Sequence, residues 1–248
     1  MDVLIVHCHP EPHSLNGALT AIAAETLTSQ GHRVEISDLY AEGFDAIEHP
    51  CHYRNRQDSQ VFSALTEQRH AFEDRQLPDD VAREIQRLEQ ADLLVLQFPL
   101  WWHGPPAMLK GWFDRVMVYG GMYSGSRRYD RGRLKGKRAI CAVTTGSPAE
   151  AFEPAGRAGD IVRLMYPLHC SLYYLGLEVL PPQLAFGIQG GGLAYQEETA
   201  FRRHLESTKT DWRARLKSLE GESTIPFSGW DDWDEQGRLG LRHPLRWR

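Results

Sequence analysis

The chain has 248 residues, 42% of them hydrophobic, with a formal net charge of −5 at pH 7. That length supports one sizeable core with room for a small appendage. The acidic balance argues against a nucleic-acid partner, which selects basic surfaces, and no apolar run approaches the roughly 18 residues that span a bilayer.

Residues 2–7, "DVLIVH", form a short apolar run that reads as a buried strand. Residues 15–31 place Leu15, Leu19, Ile22 and Leu27 on a helical stripe, with Ser14 or Asn16 to cap its start and Gly31 its end. Residues 33–39 alternate as a strand, residues 79–91 carry Val81, Ile85 and Leu88 at helical spacing, and "DLLVLQF" (92–98) is a third strand. Pro106 suits the first position of the next helix, whose Leu109, Trp112, Phe113, Val116 and Met117 share one face. A fourth strand is predicted at 137–145, a helix bent near Pro167 at 160–176, a fifth strand, irregular at its prolines, at 177–186, and a charged helix at about 195–219.

Five alternations of strand and helix predict an α/β doubly wound, five-stranded parallel sheet of flavodoxin-like order 2-1-3-4-5 with a C-terminal extension. The main domain covers 1–219. Residues 40–78 are a long insertion, and 220–248 a tail whose Phe227, Trp230, Trp233 and Trp247 call for a surface on the core or on a partner subunit.

In such sheets ligands sit beyond the carboxyl ends of the strands. The loops there read "HCHPEPHSLNG", "PLWWHGPP" and "TTGSPAEAF". The first puts His9, Ser14 and Asn16 ahead of a helix N-terminus, a place for a phosphate, although ordinary capping by Ser14 explains part of it. The second holds Trp101 and Trp102 in a turn, where small polar residues are usual. The third supplies Thr144, Thr145, Gly146 and Ser147, small enough for backbone N–H groups to approach a ligand. Together they describe a cradle for a flat, phosphate-bearing group such as a flavin. No G-x-G-x-x-G or Walker A sequence is present, and "GIQGGG" (187–192) carries no specific signal.

At these loops the chain resembles the NAD(P)H:quinone oxidoreductase (DT-diaphorase-like) flavoprotein family. The matching stretches are "VLIVHCHPEPHSLNG" (3–17), "FPLWWHGPPAMLKGWFDRV" (98–116), "GKRAICAVTTG" (136–146) and "GLEVLPPQ" (176–183). The resemblance implies a homodimer with active sites at the interface. It also implies FAD rather than FMN, and two-electron hydride transfer from NAD(P)H through flavin N5 to a quinone by a ping-pong mechanism. By the same resemblance His9, Ser14, Leu15 and Asn16 contact the phosphate and ribityl parts. Pro99, Leu100, Trp101, Trp102 and His103 line the ring, and Thr144, Thr145, Gly146 and Ser147 its polar edge. Trp102, Tyr123, Phe152 and Tyr174 contact substrate, Tyr123 reaching over from the partner. Tyr123, His103 and Gly146 are the candidate catalytic residues.

The sequence also departs from the family. Phe152 and Ala158 stand where a Tyr and a His form a charge relay, Gly125 replaces a second pocket tyrosine, and Asp74 an adenine-contacting glutamine. His103 is then the candidate proton donor, with a spacer role as its alternative. Two alternatives belong to the same resemblance: a flavin-binding ancillary subunit of a potassium efflux system, and an azo- or nitro-compound reductase. No metal is expected, since His49, Cys51 and His52 lack a second correctly spaced pair. Cys8, Cys51, Cys141 and Cys170 lie far apart and read as reduced thiols. With no targeting segment at the start, they point to a cytoplasmic protein. Arg238, Arg242, Arg246 and Arg248 are a basic end, solvated or facing phosphate groups.

Overall fold

The computed structural model describes residues 1–190 and 196–239. Six strand segments, β1 (Asp2–His7), β2 (Arg33–Asp38), β3 (Leu93–Pro99), β4 (Arg138–Thr144), β5 (Glu178–Val179) and β6 (Gln183–Ala185), form one sheet. The order is β2-β1-β3-β4-β5, with β6 also on β4, and every pairing is parallel. The predicted fifth strand is thus present in two pieces. Pro181 and Pro182 fall between them, and neither has an N–H to give to the ladder.

Alternate residues of β1 enter two cores. Val3 and Ile5 pack with α1 (Leu15–Ser29) and α6 (Glu198–Leu216), where Trp212 is fully buried. Leu4 and Val6 face the layer of α3 (Asp79–Gln90), α4 (Ala107–Val116) and α5 (Ile161–Tyr174), centred on Leu109 and Trp112. The sheet is covered on both sides, as an all-parallel sheet requires.

Several local expectations change. Pro106 is the extended cap residue at ψ 151° and Ala107 the first helical one. Pro167 does not interrupt α5. It forfeits one backbone hydrogen bond, and burial of Met165, Leu168 and Leu172 around it outweighs that loss. Ser14, not Asn16, caps α1, accepting from the Gly17 N–H at 3.1 Å. The charged helix starts at Glu198; the expected start at 195, the end of the 187–192 glycine cluster, and Leu241, Arg242, Arg246, Trp247 and Arg248 lie outside the described residues.

The insertion is largely structured. It contains α2 (Ala64–Glu73), and its earlier part locks onto α4. A Cβ on Gly111 would sit 2.0 Å from the Ala46 carbonyl oxygen, so only glycine permits that approach. Gln68 on α2 donates to the Asp114 carbonyl at 3.0 Å, and the Arg69 guanidinium lies 4.2 Å from the Tyr119 ring. The tail packs back as well. Ile225 N–H donates to Val179 O at 2.7 Å, and Phe227 stacks on Tyr173 at 4.5 Å.

His169 on α5 is fully buried, and desolvation pushes its pKa down to about 4 from 6.5. Between those values the unfolded chain binds the extra proton, so stability is complete above the higher one and falls as pH drops toward the lower. The expected loss between about pH 7 and about pH 4.5 is about 2–3 kcal/mol from this residue. Urea melts of the wild type and His169→Leu at both pH values check it. Equal acid losses in the two proteins would refute the assignment.

Candidate functional site

The three carboxyl-end loops are joined by hydrogen bonds. Leu100 N–H donates to Thr144 O at 2.8 Å, continuing the β3–β4 register beyond Pro99. Asn16 Nδ2 donates to Thr144 Oγ1 at 2.9 Å, and Gln97 Nε2 donates to Asn16 Oδ1 at 2.8 Å. Asn16 and Thr144 therefore spend part of their polar capacity pinning the first loop to β4. The His9 ring lies 5.9 Å from Trp101. Gln97 was not among the expected residues. Its signal was present as the lone amide in "DLLVLQF", a polar group that a buried strand keeps only with a partner.

The first loop folds tightly over α1. His9 Nδ1 accepts from Glu11 N–H at 3.0 Å, and a Cβ on Gly17 would meet Pro12 O at 2.2 Å. Ser14 takes one of the free donors of the helix start. The N–H groups of Leu15 and Asn16 donate to no described residue. They point a helix's positive end outward. Cys8, at the start of this loop, has its thiol pushed up to about 12 by burial, so it is not a nucleophile.

The tryptophan loop is a two-residue turn. Trp101 and Gly104 exchange N–H···O bonds of 2.9 and 3.0 Å, and Trp102 and His103 between them have φ of 49° and 62°. Such turns usually take Asn-Gly, because side chains with a Cβ are strained there. Trp102 is 98% exposed and Trp101 42%. His103 is exposed beside them, Pro99 is buried and Leu100 half-buried. An indole is thus held in a strained turn and left almost wholly in water, an apolar face without a partner among the described residues.

The third loop lies alongside. Thr145 N–H donates to Ala185 O at 2.8 Å, and its Oγ1 to Ser147 O at 3.0 Å. The N–H groups of Gly146 and Ser147 donate to no described residue. A Cβ at Gly146 would meet only Ile188 O, at 3.9 Å, so packing is not what requires a glycine there. Phe152 is buried, 5.6 Å from the Phe186 ring.

Tyr123 and Tyr174 sit elsewhere. Their rings are 5.4 Å apart, and both line a groove of about 870 Å³ between α4 and α5 with Pro105, Phe113, Met117 and Tyr166. None of the tryptophan-turn or threonine-loop residues lines that groove. Burial raises the Tyr123 phenol above its usual pKa, so it stays protonated at neutral pH. A Cβ at Gly125 would meet nothing within 4 Å. The predicted residues thus form two sets in one chain, the loops with Phe152 and the tyrosine groove.

Among the described residues no group of three or more His, Cys, Asp or Glu side chains is placed to hold a metal. His52 instead contacts Asp45 at 3.0 Å, and His49 accepts from Cys51 N–H. All four cysteines are free, and no described helix is long and apolar enough to cross a membrane.

The sheet order and the loops at its carboxyl edge define a flavodoxin-like protein, and residues 1–209 match the model of the flavodoxin-like fold family, to which the chain belongs. Several relatives that it matches over nine-tenths of its length are named as quinone dehydrogenases. The mouse ribosyldihydronicotinamide dehydrogenase (quinone) is 38% identical over 229 residues, covering 90% of this chain and 94% of that protein. The guinea pig (Cavia porcellus) NAD(P)H dehydrogenase (quinone) 1 is 37% identical, covering 91% and 79%. A Klebsiella pneumoniae protein described as a candidate quinone reductase superposes with a TM-score of 0.85 at 31% identity, covering 96% of this chain and 93% of its own.

Proposed function

We propose that the chain is a flavin-dependent NAD(P)H:quinone oxidoreductase that holds FAD and works as a homodimer. The observation that carries this reading is the exposed, strained Trp101–Gly104 turn, hydrogen-bonded through Leu100 to a threonine–glycine loop whose Gly146 and Ser147 N–H groups donate to no described residue. The donor set fits a flavin: two N–H groups at the α1 start with no acceptor among the described residues suit its phosphate, two more at Gly146 and Ser147 suit its polar ring edge, and the indoles suit its face. When bound, a flavin supplies hydride acceptance and donation.

The chain's own residues bind, orient and shield. Leu15 and Asn16 N–H groups hold the charged tail, with His9 and Ser14 beside them. Trp101 and Trp102 cover apolar surface and exclude water. Gly146 and Ser147 N–H groups stabilise negative charge at the ring edge. Phe152 and Ala158 hold no transferable proton, so His103, the ionisable side chain of the tryptophan turn, is the proton donor on this reading. Tyr123 and Tyr174 line a groove that the loops of their own chain do not share. A second protomer placing that groove over the loops completes a substrate site, which is what favours the dimer.

The test begins with colour. The purified protein should be yellow, release FAD on heating, and sediment as a dimer. Double-reciprocal plots with a quinone should give parallel lines, as alternating occupancy of one site requires. The mouse relative's name favours a second donor reading, so NADH, NADPH and reduced nicotinamide riboside are to be compared by kcat/KM. Gly146→Leu should lose most of its flavin, and full retention would count against this placement. A colourless protein that takes up neither FAD nor FMN would overturn the function.

A further inference from the structure

The tail and the segment before β4 meet at the tyrosine pair. Arg128 Nη1 donates to the Tyr174 hydroxyl at 3.0 Å. The Arg128 guanidinium carbon lies 5.1 Å from the Trp230 ring, 5.6 Å from Tyr174 and 5.7 Å from Tyr129. No carboxylate among the described residues forms an ion pair with it. Three aromatic faces in place of a carboxylate leave the hydrogen bond to Tyr174 as its directional contact, and they strengthen it by displacing water.

The surroundings are built around this contact. Tyr129 has φ 57°, a strained state for a bulky residue, and its ring packs on Tyr174 at 4.9 Å and Trp233 at 4.7 Å. Trp230 N–H donates to Asp130 Oδ1 at 2.7 Å, and Arg131 pairs with Asp231 at 2.6 Å. Tyr173 donates to Ser228 O at 2.7 Å, so the tail is fastened on both sides of the cluster. Arg128 does not line the groove, whereas Tyr174 and Tyr123 do. It reaches Tyr174 from outside the groove.

We propose that Arg128, clamped by Trp230 of the C-terminal tail, is a positioning residue that sets the Tyr174–Tyr123 wall and thereby the affinity of the groove for a flat aromatic acceptor. Its role is to remove the rotational freedom of the Tyr174 ring, on which Tyr123 leans edge-on at 70°. This rests on the proposed function in one respect, that the groove receives the acceptor. Lysine cannot replace it, because an ammonium neither stacks between rings nor keeps the planar fork.

The test uses the full chain supplied with FAD and menadione as the acceptor probe. Calorimetric Kd, KM and kcat are measured for wild type, Arg128→Met, Tyr174→Phe, their double mutant, Trp230→Ala and Trp230→Phe. Arg128→Met, Tyr174→Phe and Trp230→Ala should each raise Kd and KM about tenfold, and in Arg128→Met and Trp230→Ala, whose residues lie outside the groove, kcat should stay within about twofold. The double mutant should be no weaker than Arg128→Met alone, because both remove one contact, and Trp230→Phe should restore most of the affinity. Additive losses in the double mutant, or an unchanged Kd in Tyr174→Phe, would overturn the proposal; the latter variant is mild enough to fold even if Arg128→Met does not. A wild type that binds menadione without turnover refutes the catalytic reading while the Kd series still tests this one. A wild type that binds none overturns this proposal.

Discussion

Glu84→Ala is expected to destabilise the protein by about 2–6 kcal/mol. The Glu84 carboxylate is 1% exposed and accepts from Trp112 Nε1 at 2.8 Å, Ser37 Oγ at 3.0 Å and Arg87 Nη1 at 2.6 Å. One side chain thus joins α3 to β2 and to α4. Removing it strands a fully buried indole N–H and a buried hydroxyl, each costing about 1–3 kcal/mol unpaired. Arg87 keeps Glu35 and Glu42 at 2.7 and 2.8 Å, so its charge is not orphaned. Glu84→Gln retains an acceptor for Trp112 and should lose about half as much. Urea unfolding of the three proteins measures this, and a loss below about 1 kcal/mol for Glu84→Ala would contradict the network's role.

The second large effect falls on ligand retention. Gly17→Ala should weaken flavin binding by more than about tenfold while leaving the sheet folded. The new Cβ would lie 2.2 Å from Pro12 O and 3.0 Å from Pro12 C. Both are backbone atoms, so the loop from His9 to Ser14 must move as a unit. That movement breaks the Ser14 cap on Gly17 N–H and shifts the Leu15 and Asn16 donors. Fluorescence titration of the flavin-stripped variant with FAD, alongside far-UV circular dichroism, separates the two outcomes. Wild-type affinity would show that this loop does not hold the cofactor's charged end.

Much of this architecture is legible along the chain because local periodicity and burial agree. The run 2–7 is β1 to the residue, and Val81, Ile85 and Leu88 mark the buried face of α3. Ser14 and Gly31, the latter at φ 86°, bracket α1 as capping chemistry dictates. Of the loops that form the candidate site, the tryptophan loop stands out because its residue types break the rule for turns. The left-handed backbone of Trp102 and His103 carries no such mark, since neither is a residue that favours it. Arg128 and Tyr129 were equally silent within "SRRYDRG", where charge reads as solvated surface.

The alternation of strands and helices, their buried faces and the place of the loops follow from patterns that repeat every two or three to four residues, and these depend on neighbours within one element. The continuity of α5 through Pro167, the docking of the insertion on Gly111 and the tail's closure over Arg128 depend on partners dozens of residues away. Their free energy comes from surface buried between distant segments, a quantity that acquires a value only when the chain has closed on itself. That is why the unusual loops at the carboxyl edge of the sheet are visible in the sequence, while the tyrosine wall, and the tail that braces it, emerge only from the folded chain.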